Sequence, residues 1–225
     1  MTRSKAEVLQ RIFASGVIPI LRTPTGDDAR QVADVLQQAG MDIVEIPLTV
    51  PGALDVIREL SSASSDLIVG AGTVLNIDDV RQVHQAGACF VVTPIFDAAV
   101  VGYCREHGLA CFAGALTPTE IFTAWQAGAD VVKVFPASAV GGPEYLKAVK
   151  APLVDVKLMP TGGVTIENAA AFIAAGAFAL GVGGELADTA ALRAGQTELI
   201  AQRARELLAV VKQARSQHDS KRASY

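Results

Sequence analysis

The stretch Gln126-Ala127-Gly128-Ala129-Asp130-Val131-Val132-Lys133-Val134-Phe135-Pro136 decides the fold. It reads as a helix end, a glycine stop and a short apolar strand. Glycine just past a helix adopts the left-handed conformation at little cost, and the chain can then turn into a strand. The phrase recurs. Gln38-Ala39-Gly40-Met41-Asp42 leads into a second such strand, Gln85-Ala86-Gly87-Ala88 into another, and Ala175-Gly176-Ala177 into the last. Working outward, strand-like apolar runs appear about every 20 to 25 residues, with amphipathic helical patterns between them.

The runs are 17–21, 42–48, 66–70, 88–93, 109–113, 130–135, 155–160 and 177–182, eight in all. Amphipathic segments at 27–38, 78–85 and 97–106 stand between them. Eight βα units can close into a barrel or wind into an open sheet. No GxGxxG phrase follows the first strand, and no linker divides the chain. The expected fold is therefore α/β, a single (βα)8 TIM barrel over residues 1–214. A short helix near 4–14 precedes it, a last helix covers 190–214, and residues 215–225 form a polar, mobile tail.

Composition agrees. Of the 225 residues, 51% are hydrophobic and only 5% aromatic, the small and branched supply that doubly buried parallel strands need. A net charge of −4 and a pI near 5.4 argue against a nucleic-acid partner. Apolar runs are too short to span a bilayer, and the start, Met-Thr-Arg-Ser-Lys-Ala-Glu, is not of signal-peptide type. A soluble, cytoplasmic protein is expected. Cys89, Cys104 and Cys111 form no CxxC pair and read as buried thiols. His84, His107 and His218 are scattered and read as solvated helix positions, so no metal site is expected. The single tryptophan, Trp125, reads as a packing or subunit-contact residue.

Two charges break the apolar rule of the strands. Lys133 lies within Val131-Val132-Lys133-Val134, and Glu45 within Ile43-Val44-Glu45-Ile46. Strand side chains alternate faces. If Val132, Val134, Val44 and Ile46 face the helices, Lys133 and Glu45 face the interior. Burial there lowers the amine's pKa and makes it nucleophilic, and a nearby carboxyl can carry protons. That is a parts list for Schiff-base chemistry. The structural alternative is a buried ion pair, which contributes little net stability.

Other polar groups gather at strand C-terminal ends, where barrel active sites lie. Arg22 ends the first strand and reads as an anion clamp or a solvated loop residue. Gly70-Ala71-Gly72-Thr73 ends the third, and Thr93-Pro94 the fourth. Thr161-Gly162-Gly163 and Gly181-Val182-Gly183-Gly184 end the seventh and eighth. The last two look like paired phosphate-binding turns, with a short helix adding its N-terminus.

From about Val17 to Leu186 the chain resembles the 2-keto-3-deoxy-6-phosphogluconate aldolase and 4-hydroxy-2-oxoglutarate aldolase family. The motifs that carry the resemblance are Val44-Glu45-Ile46, Gly70-Ala71-Gly72-Thr73-Val74, Val131-Val132-Lys133-Val134-Phe135-Pro136-Ala137 and Pro160-Thr161-Gly162-Gly163-Val164. The resemblance implies a cofactor-free class I lyase that splits a 2-keto-3-deoxy-6-phospho sugar acid into pyruvate and glyceraldehyde 3-phosphate. It implies a homotrimer with a small α-keto acid as ligand. Lys133 would be the Schiff-base lysine and Glu45 the proton carrier. Arg22, Thr73, Pro94, Phe135 and Thr161 would line the site, and Gly162, Gly163, Gly183 and Gly184 would receive phosphate. Two positions depart from gluconate-type members, which often carry arginine where this chain has Thr49 and serine where it has Gly184. Arg22, as in galactonate-type relatives, would replace that arginine. The galactonate epimer and 4-hydroxy-2-oxoglutarate are alternative substrates. A phosphate-binding isomerase or epimerase on the same barrel would explain the glycine turns but leaves Lys133 without a covalent role.

Overall fold

The computed structural model of the chain describes residues 3–63 and 66–222, with side chains through 217. Helix α1 (Lys5–Ser15) comes first, capped by the Ser4 hydroxyl and closed by Gly16 at φ 74°. Eight strands follow: β1 (Val17–Pro19), β2 (Ile43–Pro47), β3 (Ile68–Gly72), β4 (Phe90–Val92), β5 (Ala110–Ala115), β6 (Val131–Val134), β7 (Leu158–Pro160) and β8 (Leu180–Val182). Between them lie α2 (Gly26–Gln38), α3 (Ala53–Ala63), α4 (Ile77–Gln85), α5 (Ala98–Glu106), α6 (Pro118–Gln126), α7 (Gly142–Lys150) and α8 (Ile166–Ala174). Helices α9 (Thr189–Arg193) and α10 (Thr197–Arg222) end the described part. The repeated glycines do what their sequence phrase requires: Gly40, Gly87, Gly128 and Gly176 lie between φ 95° and 103°.

All pairings are parallel. β2 to β7 form one six-stranded sheet in chain order, and β1 pairs with β8. The two groups meet at single bridges, Ile20 to Glu45 on one side and Leu158 to Ala177 and Thr161 to Gly181 on the other. The α/β fold is as expected, but the sheet is a curled one with two such seams, not an uninterrupted eight-stranded ladder. The strands at the seams, β1, β7 and β8, are each three residues long.

Face alternation divides the core in two. Val44, Ile46, Val132 and Val134 belong to the cluster packed under the helices. Ile43, Val131, Phe90, Phe112 and Met159 belong to a separate interior cluster, joined by Val8 and Ile12 of α1. Phe90 and Phe112 meet edge to face at 5.7 Å, and Gly70 has no side chain because a Cβ there would strike the Phe90 ring. Each buried aliphatic side chain of this kind contributes about 1.5–3 kcal/mol.

The aspartates that precede β2 and β6 have a role the sequence did not disclose. Asp42 pairs with Arg11, and Asp130 pairs with Lys5 at 3.0 Å while accepting from Cys111 N–H at 3.0 Å. Arg3 also donates to Leu67 O at 2.9 Å. Basic residues on and beside α1 therefore lash that helix across the N-terminal ends of the strands, leaving the opposite end for a site.

The C-terminal region differs from expectation. Its helix breaks at Gly195, φ 71°, so α9 and α10 stand in place of one helix. The segment read as a tail from residue 215 is helical through Arg222. Arg215 anchors it by donating to Phe178 O at 2.7 Å and stacking on Phe13 at 4.4 Å. Residues 223–225 and the His218 side chain lie outside the described part.

Candidate active site

Strand β6 presents Lys133 to the interior at the same parity as Val131, and β2 presents Glu45 in step with Ile43. Both are buried, Lys133 5% exposed and Glu45 1%. Burial pushes the Lys133 amine below its ordinary pKa. Glu45 raises it again in part, and Arg22 lowers it further. Burial pushes the Glu45 carboxyl up, opposed by the positive charges of Lys133 and Arg22. The three groups thus form one electrostatic unit in which burial favours the neutral amine and the protonated acid.

Lys133 opens into a cavity of about 330 Å³, lined also by Ile20, Arg22, Phe135, Thr161, Gly162, Gly163, Val164, Gly181, Gly183, Gly184 and Ala187. The amine lies 4.9 Å from the centre of the Phe135 ring, a cation–π distance that also shapes the wall. Among the described residues, the buried side-chain polar atoms without a hydrogen-bond partner are Glu45 Oε2 and Thr161 Oγ1. Leaving such an atom unsatisfied costs about 1–3 kcal/mol, so two of them at one site mark where a ligand or water completes the structure.

Most residues expected in the site converge. Arg22, Lys133, Phe135, Thr161, Gly162, Gly163, Gly183 and Gly184 line the cavity, while Glu45 does not line it but acts on Lys133 through its charge. Thr73 and Pro94 do not line it. Thr73 is half-buried and the only described non-glycine residue at positive φ, 57°. Backbone strain of this kind costs of order 1–3 kcal/mol and clusters at functional sites. Thr49 is exposed.

The anion turns need a correction. Gly162 and Gly163 have φ 86° and 76°, and around Gly183 and Gly184 a Cβ would meet nothing within 4 Å, so backbone there is open to a ligand. The short helix α9, however, begins only at Thr189, and its N-terminus is already capped by the Asp188 carboxylate, which accepts from Ala191 N–H at 2.9 Å and pairs with Arg203 at 2.8 Å. That helix end offers no free positive pole to an anion.

The structure adds residues the sequence reading missed. A Cβ on Gly72 would overlap Glu45 Oε1 and stand 2.6 Å from Cδ, so glycine there makes the room the carboxyl occupies. A Cβ on Gly181 would overlap Thr161 Oγ1 and stand 3.3 Å from Ile20 Cδ1. The signal for Gly72 was the second glycine of Gly70-Ala71-Gly72, which lies at the inward parity once β3 is known to reach residue 72. Gly72→Ala should displace the carboxyl and lower kcat by about tenfold or more, since a misplacement near 1 Å can cost about 10²-fold. Steady-state kinetics beside a thermal melt read it, and unchanged kcat would show that Glu45 does not need the gap.

Cys104 and Cys111 are buried and Cys89 half-buried, all free thiols. His84 is half-buried and meets the Tyr103 hydroxyl at 3.0 Å, while His107 is exposed and stacks on the Tyr103 ring. Trp125 packs against the core. Among the described residues no group of three or more His, Cys, Asp or Glu is placed to hold a metal ion, and no helix is long and apolar enough to cross a membrane.

A curled parallel α/β sheet thus carries a buried lysine in a cavity wall and a buried glutamate whose charge acts on it, a pairing suited to aldolase chemistry. Comparison with known proteins makes this specific: residues 8–203 match the family described as KDPG and KHG aldolase, and the chain belongs to it, among carbon–carbon lyases of carbohydrate metabolism. A 2-dehydro-3-deoxy-6-phosphogalactonate aldolase of Escherichia coli K12 is 40% identical over 80% of this chain and 86% of its own. A 2-dehydro-3-deoxy-phosphogluconate aldolase of Treponema pallidum is 35% identical over 75% and 79%. Among solved structures, a KDPG aldolase from Legionella pneumophila, with pyruvate captured at low pH as a covalent carbinolamine, is 26% identical with a TM-score of 0.82, covering 88% of this chain and 97% of that one.

Proposed function

We propose that the chain is a class I aldolase that cleaves 2-keto-3-deoxy-6-phosphogluconate to pyruvate and glyceraldehyde 3-phosphate through a Schiff base on Lys133. The observation that carries this reading is a lysine with lowered pKa, buried in an otherwise apolar strand and opening on a cavity beside a buried glutamate. The catalytic unit is one (βα)8 barrel whose last helix runs on past residue 214, working as a cytoplasmic homotrimer without cofactor or metal.

The neutral Lys133 amine attacks the C2 ketone. Loss of water from the carbinolamine gives an iminium. Glu45 supplies and takes the protons of these steps, then accepts the C4 hydroxyl proton as the C3–C4 bond breaks and its electron pair enters the iminium. Glyceraldehyde 3-phosphate leaves, the enamine is protonated at C3, and water returns pyruvate and the free amine. Thr161, whose unpaired Oγ1 is buried in the cavity wall, and Phe135 hold the keto acid, with Thr73 and Pro94 at the rim. Backbone N–H groups of Gly162, Gly163, Gly183 and Gly184 take the phosphate, with the Arg22 cation in the same cavity wall.

A second reading makes the C4 epimer, the galactonate compound, the preferred substrate. It is favoured by Arg22 in the cavity wall, by Thr49, and by the 40% identity to a protein of that name. The two acids differ at one hydroxyl, and a pocket with no dedicated partner for it discriminates by about 10- to 200-fold. The test is kcat/KM for the gluconate compound, its C4 epimer and 4-hydroxy-2-oxoglutarate under one set of conditions. The gluconate compound should lead, with measurable turnover of the epimer. The unphosphorylated acid should be slower because it forgoes the binding energy of the phosphate turns. A clear lead for the epimer selects the second reading, and a clear lead for the unphosphorylated acid contradicts the phosphate turns.

A further inference from the structure

On β5, Gly114 stands in register with Lys133 of β6. Residues in register on neighbouring parallel strands project to the same side. The space a Gly114 side chain would fill therefore lies beside the Lys133 stem. Backbone fills it instead. A Cβ on Gly114 would overlap the carbonyl carbon and oxygen of Pro94 and stand 2.5 Å from Ile95 N. The turn after β4 is folded inward against β5 at the level of Lys133, outside the cavity wall itself.

Such a turn needs a tie, and Thr93 supplies it. Its residue is 1% exposed. The Thr93 hydroxyl accepts from Gly114 N–H at 3.0 Å and donates to Ile95 O at 2.6 Å, while Thr93 N–H donates to Phe112 O at 3.0 Å. One hydroxyl thus pins β5 to the far side of the Pro94 turn. Valine has the same shape but would leave a buried N–H and a carbonyl unpaired, which favours release of the turn.

We propose that Thr93 is a positioning residue for the aldolase reaction, acting through the Pro94 turn to keep the surface beside Lys133 closed to water. It touches no reacting atom, and the proposal rests on the reading of Lys133 as the Schiff-base lysine. Among the described residues, the charges acting on the amine are Glu45 on β2 and Arg22 after β1, while burial is the largest influence. Thr93 carries no charge. Its loss acts on the amine by admitting water, and a better-solvated lysine has a higher pKa. At a fixed neutral pH, less of it is then free amine.

The experiment follows adduct formation with pyruvate against pH by borohydride trapping, together with kcat/KM for cleavage, in the wild type, Thr93→Val, Thr93→Ser and Gly114→Ala. In T93V the adduct curve should move to higher pH by about half a unit or more, and kcat/KM at neutral pH should fall about tenfold, with the adduct still on Lys133. T93S keeps the hydroxyl and should stay near wild type on both. G114A pushes the same turn away with the hydroxyl intact and should move the curve in the same direction. A folded T93V with the wild-type curve overturns the proposal, as does a T93S displaced as far as T93V. If T93V does not fold, G114A carries the decision alone, and an unmoved curve there overturns it. An adduct on another lysine in the wild type would instead refute the reading of Lys133, a distinct result.

Discussion

Replacing Lys133 by alanine is expected to lower turnover by about 10⁴-fold or more, because no other group supplies the covalent electron sink. Uncatalysed C–C cleavage of a keto acid leaves the electron pair on an enolate, whereas the iminium stores it as a neutral enamine. The loss should not reflect unfolding. The folded pKa of Lys133 is below its unfolded value, so the unfolded state binds more protons between the two, and near neutral pH this lysine works against stability. Single-turnover cleavage measured beside a thermal melt reads the effect. A folded variant within about tenfold of wild type would remove Lys133 from the chemistry.

Glu45→Gln should keep the fold and lower kcat by about 10²-fold or more, the scale of a lost general acid–base. Glutamine fills the same room beside Gly72 but cannot carry a proton. The pH dependence supplies a second signature. Glu45 raises the Lys133 pKa, so its removal leaves the amine free at lower pH. In E45Q the pH curve of pyruvate adduct formation should therefore move down even as turnover collapses. Near-normal turnover, or a curve moved upward, would take Glu45 out of the assigned role.

Much of this was legible in sequence because the information is local. The helix stops at Gly40, Gly87, Gly128 and Gly176 are set by backbone sterics, and each lies at positive φ. Face alternation placed Lys133 and Glu45 inward, and the division of the core into two clusters agrees. What escaped was tertiary. Gly72 and Gly114 look like ordinary strand or turn glycines until the Glu45 carboxyl and the Pro94 carbonyl are found in the space they leave. Asp42 and Asp130 read as strand-leading polar residues until Arg11 and Lys5, far away in the chain, are seen to pair with them. The cap of α9 by Asp188 withdrew a helix terminus that the glycine-rich phrase after β8 had suggested. The Thr73 and Pro94 positions were found as loop ends, but sequence order alone does not tell which loop ends turn into the cavity.

The most direct test of the account is borohydride reduction of the protein in the presence of pyruvate, followed by peptide mass mapping. One reduced adduct per chain on the peptide that carries Lys133 is the predicted result. An adduct on Lys147, Lys150 or Lys157, or one that persists undiminished in Lys133→Ala, would contradict it.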